Sequence, residues 1–188
     1  MIRRFLEWPR GISVATLAVL AWTYGFFLLN ILPQWGELEA AQGGLDLQER
    51  YVSAQQVGDT LAGFTPQLKQ DALIFYVLDV PNFVMLAMAG AAIIGFGLRN
   101  TGYDRFPYAW AIALPLTTGL ADAMENATLG GALLTNPHAP LLNMVSAIAI
   151  GLKLSLLFVT LPVVTFMGLV GLTAWAWKRF GGSNAPRA

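Results

Sequence analysis

The sequence contains no cysteine at all, which removes disulfide frameworks, thiolate catalysis, thiolate zinc sites and iron–sulfur ligation together. It has one histidine, His138, so bis-histidine haem and multi-histidine metal sites are impossible within a single chain. Charge is equally scarce. Only 12% of the 188 residues are Asp, Glu, Lys or Arg, about half of the roughly 25% usual in soluble domains. The eleven basic and eleven acidic residues cancel, and no basic tract runs through the chain, which argues against a nucleic-acid partner. What fills the gap is apolar: 56% of residues are hydrophobic and the mean hydropathy is +0.57. A surface so poor in charge cannot be wetted all round.

The apolar residues are gathered into four long stretches. Residues 11–32 carry no charge and residues 72–98 carry only Asp79; residues 106–134 carry Asp122 and Glu125, and residues 141–177 only Lys153. About 20 apolar residues in a helix cross roughly 30 Å of hydrocarbon. In lipid each backbone amide must be satisfied locally, which at these lengths only helices achieve, and period-2 alternation that would signal a barrel is missing. The reading is an all-α polytopic membrane protein with four transmembrane helices in one domain, residues 1–180, followed by a disordered tail, 181–188. The first stretch follows Arg3, Arg4 and Arg10, but it is too long for a signal-peptide core and is read as a retained helix.

Orientation comes from the basic residues. Arg3, Arg4, Arg10, Arg99, Arg105, Lys178, Arg179 and Arg187 all fall on one side, with only Glu7 and Asp104 as acids there. The 39-residue segment 33–71 is acidic instead. The positive-inside rule therefore puts both termini in the cytoplasm and segment 33–71 outside. Trp8, Trp110, Trp175 and Trp177 make an inner aromatic belt and Trp35 an outer one. Within the outer segment, Asp46 and Glu49 have capping-box spacing, and Leu47, Tyr51, Ala54 and Leu61 suggest a short amphipathic helix. Thr65-Pro66 reads as an N-cap with proline at the first helical position, so helix two begins before residue 72. The fourth stretch is too long for one perpendicular span. Its first dozen residues are expected to lie outside, tilt strongly or break near Gly151.

Polar residues inside the spans are expensive, and they coincide in depth. Counted at about 1.5 Å per residue from the cytoplasmic ends, Asn30, Asp79, Asp122, Glu125, Asn126 and Lys153 reach one layer near the outer boundary. Asp122, Glu125 and Asn126 share a helix face at i, i+3, i+4, and Tyr76, Asp79 and Asn82 repeat every three residues. Asn143, Ser146, Ile150 and Lys153 form a third stripe. Buried charges of this kind face a bundle interior and find partners. Three carboxylates against one ammonium leave a deficit of positive charge, so at least one carboxyl is expected to hold a proton, the arrangement acid–base chemistry uses. Asp79, Asp122 and Glu125 are the candidate catalytic residues, with Glu125 or Asp122 as acid and Asp79 as base. Asn30, Tyr76, Asn82, Asn126 and Lys153 are the candidate substrate-binding residues. No cofactor or metal is implied. Beside this stands a structural reading, in which the same groups are solvated or glue the helices together. Gly90, Gly95 and Gly97 with Ala87, Ala89, Ala91 and Ala92 add a small-residue packing surface to helix two, for internal packing or oligomerisation.

With Asp122-x-x-Glu125-Asn126 near the outer end of helix three and Asp79-x-Pro81 in helix two, the chain resembles a group of uncharacterised bacterial four-helix integral membrane proteins. It differs from their pattern in having Gln67 to Gln70 where a Gly-Arg pair precedes helix two. The resemblance implies the fold and a multi-pass location in the bacterial inner membrane, and it supplies no activity. Three function classes stay open: an enzyme isomerising or cyclising a lipophilic substrate, a non-catalytic subunit of a membrane complex, and a small lipid-binding or transport protein. The partners expected are the bilayer, a lipophilic ligand, and a protein partner or second copy.

Overall fold

The computed structural model describes residues 52–103 and 108–180, together with Leu38, Ala40 and Ala41. All regular structure among them is helical. The order is α1 (Ala54–Ala62), α2 (Pro66–Thr101), a 3-10 turn (Tyr108–Ile112), α3 (Ala113–Leu134) and α4 (Pro140–Phe180). Residues 11–32 and Asn30, the Asp46/Glu49 pair, and the tail 181–188 lie outside the described residues.

Each helix start has a local cause. The Ser53 hydroxyl accepts from the Gln56 amide at 3.1 Å, and the Gln56 side chain accepts from the Ser53 amide at 2.7 Å, a reciprocal capping box that opens α1. Thr65 caps α2 in the expected way, its hydroxyl accepting from Leu68 N at 3.2 Å with Pro66 following. The α2 helix ends at Gly102, whose φ of 81° is the left-handed conformation that closes helices. Ser53→Ala is expected to cost about 1 kcal/mol of α1 stability, read as faster amide exchange in Ala54–Ala62 with α2–α4 unchanged.

By length and composition α2 and α4 can cross a membrane. The 22-residue α3, which carries Asp122, Glu125 and Asn126, does not meet the same measure of length and hydropathy. At 36 and 41 residues, α2 and α4 run to about 54 and 62 Å, well beyond a ~30 Å hydrocarbon layer. The expected alternative of a break near Gly151 is not found: α4 is continuous from Pro140 to Phe180, through Gly151 and Pro162.

The three long helices pack mutually, with α3 antiparallel to α2 and α4. At one end the Lys178 ammonium donates to the Asn100 carbonyl at 2.7 Å, tying the last turns of α2 and α4. Just before that tie the two backbones touch. A Cβ on Gly97 would run into the Met167 carbonyl oxygen, and one on Gly171 would stand 2.7 Å from the Gly97 Cα. Gly90 likewise faces Pro115 of α3. These glycines of the small-residue surface are therefore used within the chain. At the other end α1 lies across the bundle, burying Val57, Gly58 and Leu61 against the Pro137–His138 turn and α4.

The apolar core is split. One cluster, at the α1 end, joins Val57 and Leu61 to Tyr76, Leu129, Leu133 and Ile150, and also holds Leu38. A second, at the far end, joins Ala91, Ile94, Leu98 and Ile112. Between them lies the polar layer.

Candidate functional site

Six side chains from three helices meet in that layer. On α2, the Asp79 carboxylate accepts from two carboxamides: Asn82 to Oδ1 at 3.0 Å and Asn126 of α3 to Oδ2 at 2.8 Å. On the other side of α3, the Lys153 ammonium of α4 lies 2.6 Å from Glu125 Oε2 and 3.6 Å from Asp122 Oδ1. Because Glu125 and Asn126 are adjacent on α3, they point about 100° apart, one to α4 and the other to α2. Asp79, Glu125, Asn126 and Lys153 are all buried. Six of the expected residues, Asp79, Asn82, Asp122, Glu125, Asn126 and Lys153, are thus brought together.

Tyr76 is placed otherwise. It lies about one turn from Asp79 in the apolar cluster at the α1 end, beside Gly130. Within the described residues its ring packs as core. The pairing within the layer also departs from simple charge matching. Asp79, expected to act as a base near the ammonium, is held by neutral amides, while Lys153 serves the two α3 carboxylates.

Glu125 and Lys153 make a short charge-assisted contact in a desolvated setting, the kind of bond that is roughly twice as strong as a neutral one. Asp122 is held differently. Its side chain keeps 25% of its surface accessible, against 6% for Glu125, and its oxygen stands a full ångström farther from the ammonium. Of the three carboxylates it is the one a molecule from outside can reach. Among the described residues no group of three His, Asp or Glu side chains is arranged to hold a metal ion.

The sequence stripe on α4 extends farther than expected. Ser146 donates to the Thr128 hydroxyl at 2.7 Å, and the Thr118 and Thr160 hydroxyls share a buried hydrogen bond at 2.9 Å. Ser146, Lys153 and Thr160 are seven residues apart on α4, and Thr118 and Glu125 are seven apart on α3. The Glu125–Lys153 and Thr118–Thr160 pairs therefore step together, seven residues apart on both helices, while Ser146 meets Thr128 only three residues from Glu125; these polar pairs fix the antiparallel register as single polar residues do in coiled coils. The heptad spacing was readable in the sequence, although which threonine pairs with which was not.

No known protein family, curated protein or solved structure matches the chain.

Proposed function

We propose that the chain is a polytopic protein of the bacterial inner membrane, with four spans including residues 11–32, both termini cytoplasmic and α1 on the outer side. It belongs with the four-helix proteins that its Asp122-x-x-Glu125-Asn126 motif resembles. Its polar layer works on a lipophilic molecule by acid–base chemistry, isomerising or cyclising it. Asp122 exchanges the proton with the substrate, Glu125 and Lys153 set its charge, and Asp79, positioned by Asn82 and Asn126, supplies the second carboxylate.

The observation that carries this reading is the excess of carboxylate in a buried layer. Holding helices together needs no net charge, and the Thr118–Thr160 pair does so without any. A buried ion pair is commonly no more stabilising than apolar side chains of the same volume. Three carboxylates and one ammonium between two apolar clusters are therefore costly for a purely structural device, and charge within spans serves function as a rule. A second reading, a non-catalytic subunit of a membrane complex, is favoured by Asp79, both of whose oxygens accept hydrogen bonds within the bundle, and by the close Glu125–Lys153 contact.

Mass spectrometry of lipophiles co-purifying with the wild type and with Asp122→Asn/Glu125→Gln separates the two. Both are prepared in one detergent and matched for thermal stability. Enrichment on the wild type and loss from an equally stable variant is the expected result. Absence of any enriched species, with a markedly less stable variant, would transfer the acids to the structural reading.

A further inference from the structure

One face of α4 belongs to the bundle: Asn143, Ser146, Ile150 and Lys153 point inward and are buried. Largely opposite them, an open groove of about 510 Å³ runs along the same stretch of helix. Its floor is Ala147, Gly151 and Ser155, four residues apart, and its wall is Val52 and Ala54 at the start of α1. Ile148, in the same groove, is 59% exposed. Among the described residues no charged side chain lines it, and Ser155 supplies the one hydroxyl. Of the two long helices α4 is also the less covered, with 22% of its apolar window buried against 39% in α2. A floor of small residues lets a second helix approach closely in lipid.

The chain itself brings a candidate to this place. Leu38 is 1% exposed and shares its apolar cluster with Val52, the wall of the groove. Leu32, the last residue of the first apolar stretch, is six residues before Leu38, so the reach of the chain holds it within about 21 Å of that cluster. The stretch has 22 residues, as many as α3, and as a helix would cover about 33 Å, one hydrocarbon thickness. At 100° per residue all of its Gly and Ala residues, Gly11, Ala15, Ala18, Ala21 and Gly25, fall within an arc of about 120°, with Trp22 among them. A span running outward is antiparallel to α4, and the small residues then coincide in depth. Gly25, Ala21 and Ala18 lie 7, 11 and 14 residues from Leu32, while Ala147, Gly151 and Ser155 lie 7, 11 and 15 residues from Pro140.

We infer that residues 11–32 lie antiparallel along this groove, with Gly25, Ala21 and Ala18 against Ala147, Gly151 and Ser155, and Trp22 filling the space above Gly151. This inference rests on the proposed reading of residues 11–32 as a span and names the face that the span occupies. Lys153 leaves α4 on the opposite side, so the first span does not touch the acids. Asn30, level with Leu142, stands about 16 Å farther out than Lys153. The polar layer is then built by α2, α3 and α4 alone.

The test uses the full chain in lipid nanodiscs. Because the chain has no cysteine, introduced pairs are its only thiols, and a disulfide closes only between Cα atoms within about 7 Å. Ala21→Cys is combined with Ala147→Cys, Gly151→Cys or Ser155→Cys on α4, and in controls with Met124→Cys on α3 or Val80→Cys on α2. The two control positions are 39% and 45% exposed, and they lie at the level of Lys153 through the Glu125–Lys153 and Asn126–Asp79 contacts. Each variant is compared at matched thermal stability. Mild oxidation with copper phenanthroline is expected to close a bond within the monomer for at least one of the three α4 pairs and for neither control. Closure with Met124→Cys or Val80→Cys, or no bond with any α4 pair, would overturn the inference. So would α4 bonds formed only between two copies, which would give the groove to a second chain. Leu20→Cys alone checks the span separately and is expected to resist a water-soluble maleimide until the protein is unfolded in detergent. Reaction in the intact nanodisc would remove the span and the inference with it, whereas protection without an α4 bond would remove only the docking face.

Discussion

Lys153→Met is expected to destabilise the bundle by about 3–5 kcal/mol, the cost of leaving a buried carboxylate without its partner. Glu125 lies 2.6 Å from the ammonium in a site where its side chain is 6% accessible, and water cannot replace the lost charge. Methionine keeps most of the side-chain volume, so the loss is electrostatic and not a cavity. The sign of this account is checked by the double variant Glu125→Gln/Lys153→Met. With both members of the close pair gone, no fully buried carboxylate is left without its ammonium and only the partly accessible Asp122 loses a more distant one, so stability should return to within about 1–2 kcal/mol of the wild type, since apolar or neutral replacements of buried pairs are often tolerated. Thermal unfolding in mild detergent, run as a double-mutant cycle, gives the coupling directly. A single variant as stable as the wild type would show that Lys153 is not required to balance Glu125.

The second large effect lies at the other end of the bundle. Gly97→Leu should destabilise by at least about 3 kcal/mol, the upper part of the range for overpacked sites. Its Cβ would run into the Met167 carbonyl oxygen, which is backbone in the middle of a helix and cannot swing aside. Relief requires α2 and α4 to separate, and that also strains the Lys178–Asn100 tie. Gly171→Leu enters the same contact from α4, so the two substitutions should be less than additive. By contrast Gly63→Ala, where the nearest atom to a new Cβ is 3.4 Å away, should be close to neutral. Unfolding measured on the three variants checks the order.

How much of this was legible beforehand differs from residue to residue. That Asp79, Asp122, Glu125, Asn126 and Lys153 meet at one level of the bundle followed from counting along helices, because rise and rotation per residue are nearly constant. The start of α2 at Pro66 followed from Thr65-Pro66, whose signal is entirely local. The cap of α1 at Ser53 was missed. Ser53 and Gln56 have the same three-residue spacing as Asp46 and Glu49, which lie outside the described residues, and the sequence reading stopped at the earlier pair. The partners within the layer were not legible either. Asp79 meeting Asn126 and Lys153 meeting Glu125 depend on how α3 is rotated between its neighbours, and adjacent residues on α3 point to different helices. Tyr76 belonged to a polar stripe by spacing but is core by packing, since a phenol ring supplies apolar surface whichever way its hydroxyl turns. The continuity of α4 through Gly151 and Pro162 shows that neither residue ends a helix flanked by long apolar runs.

The central claim is that the polar layer transfers a proton to or from a lipophilic molecule. It is tested most directly by incubating the protein, in nanodiscs made with total bacterial lipid, in deuterated water, and searching the extracted lipophiles for carbon-bound deuterium. The account predicts a species that gains deuterium with the wild type, and not with an Asp122→Asn variant of equal thermal stability. No deuterium in any extracted species, or the same incorporation with both proteins, would contradict it.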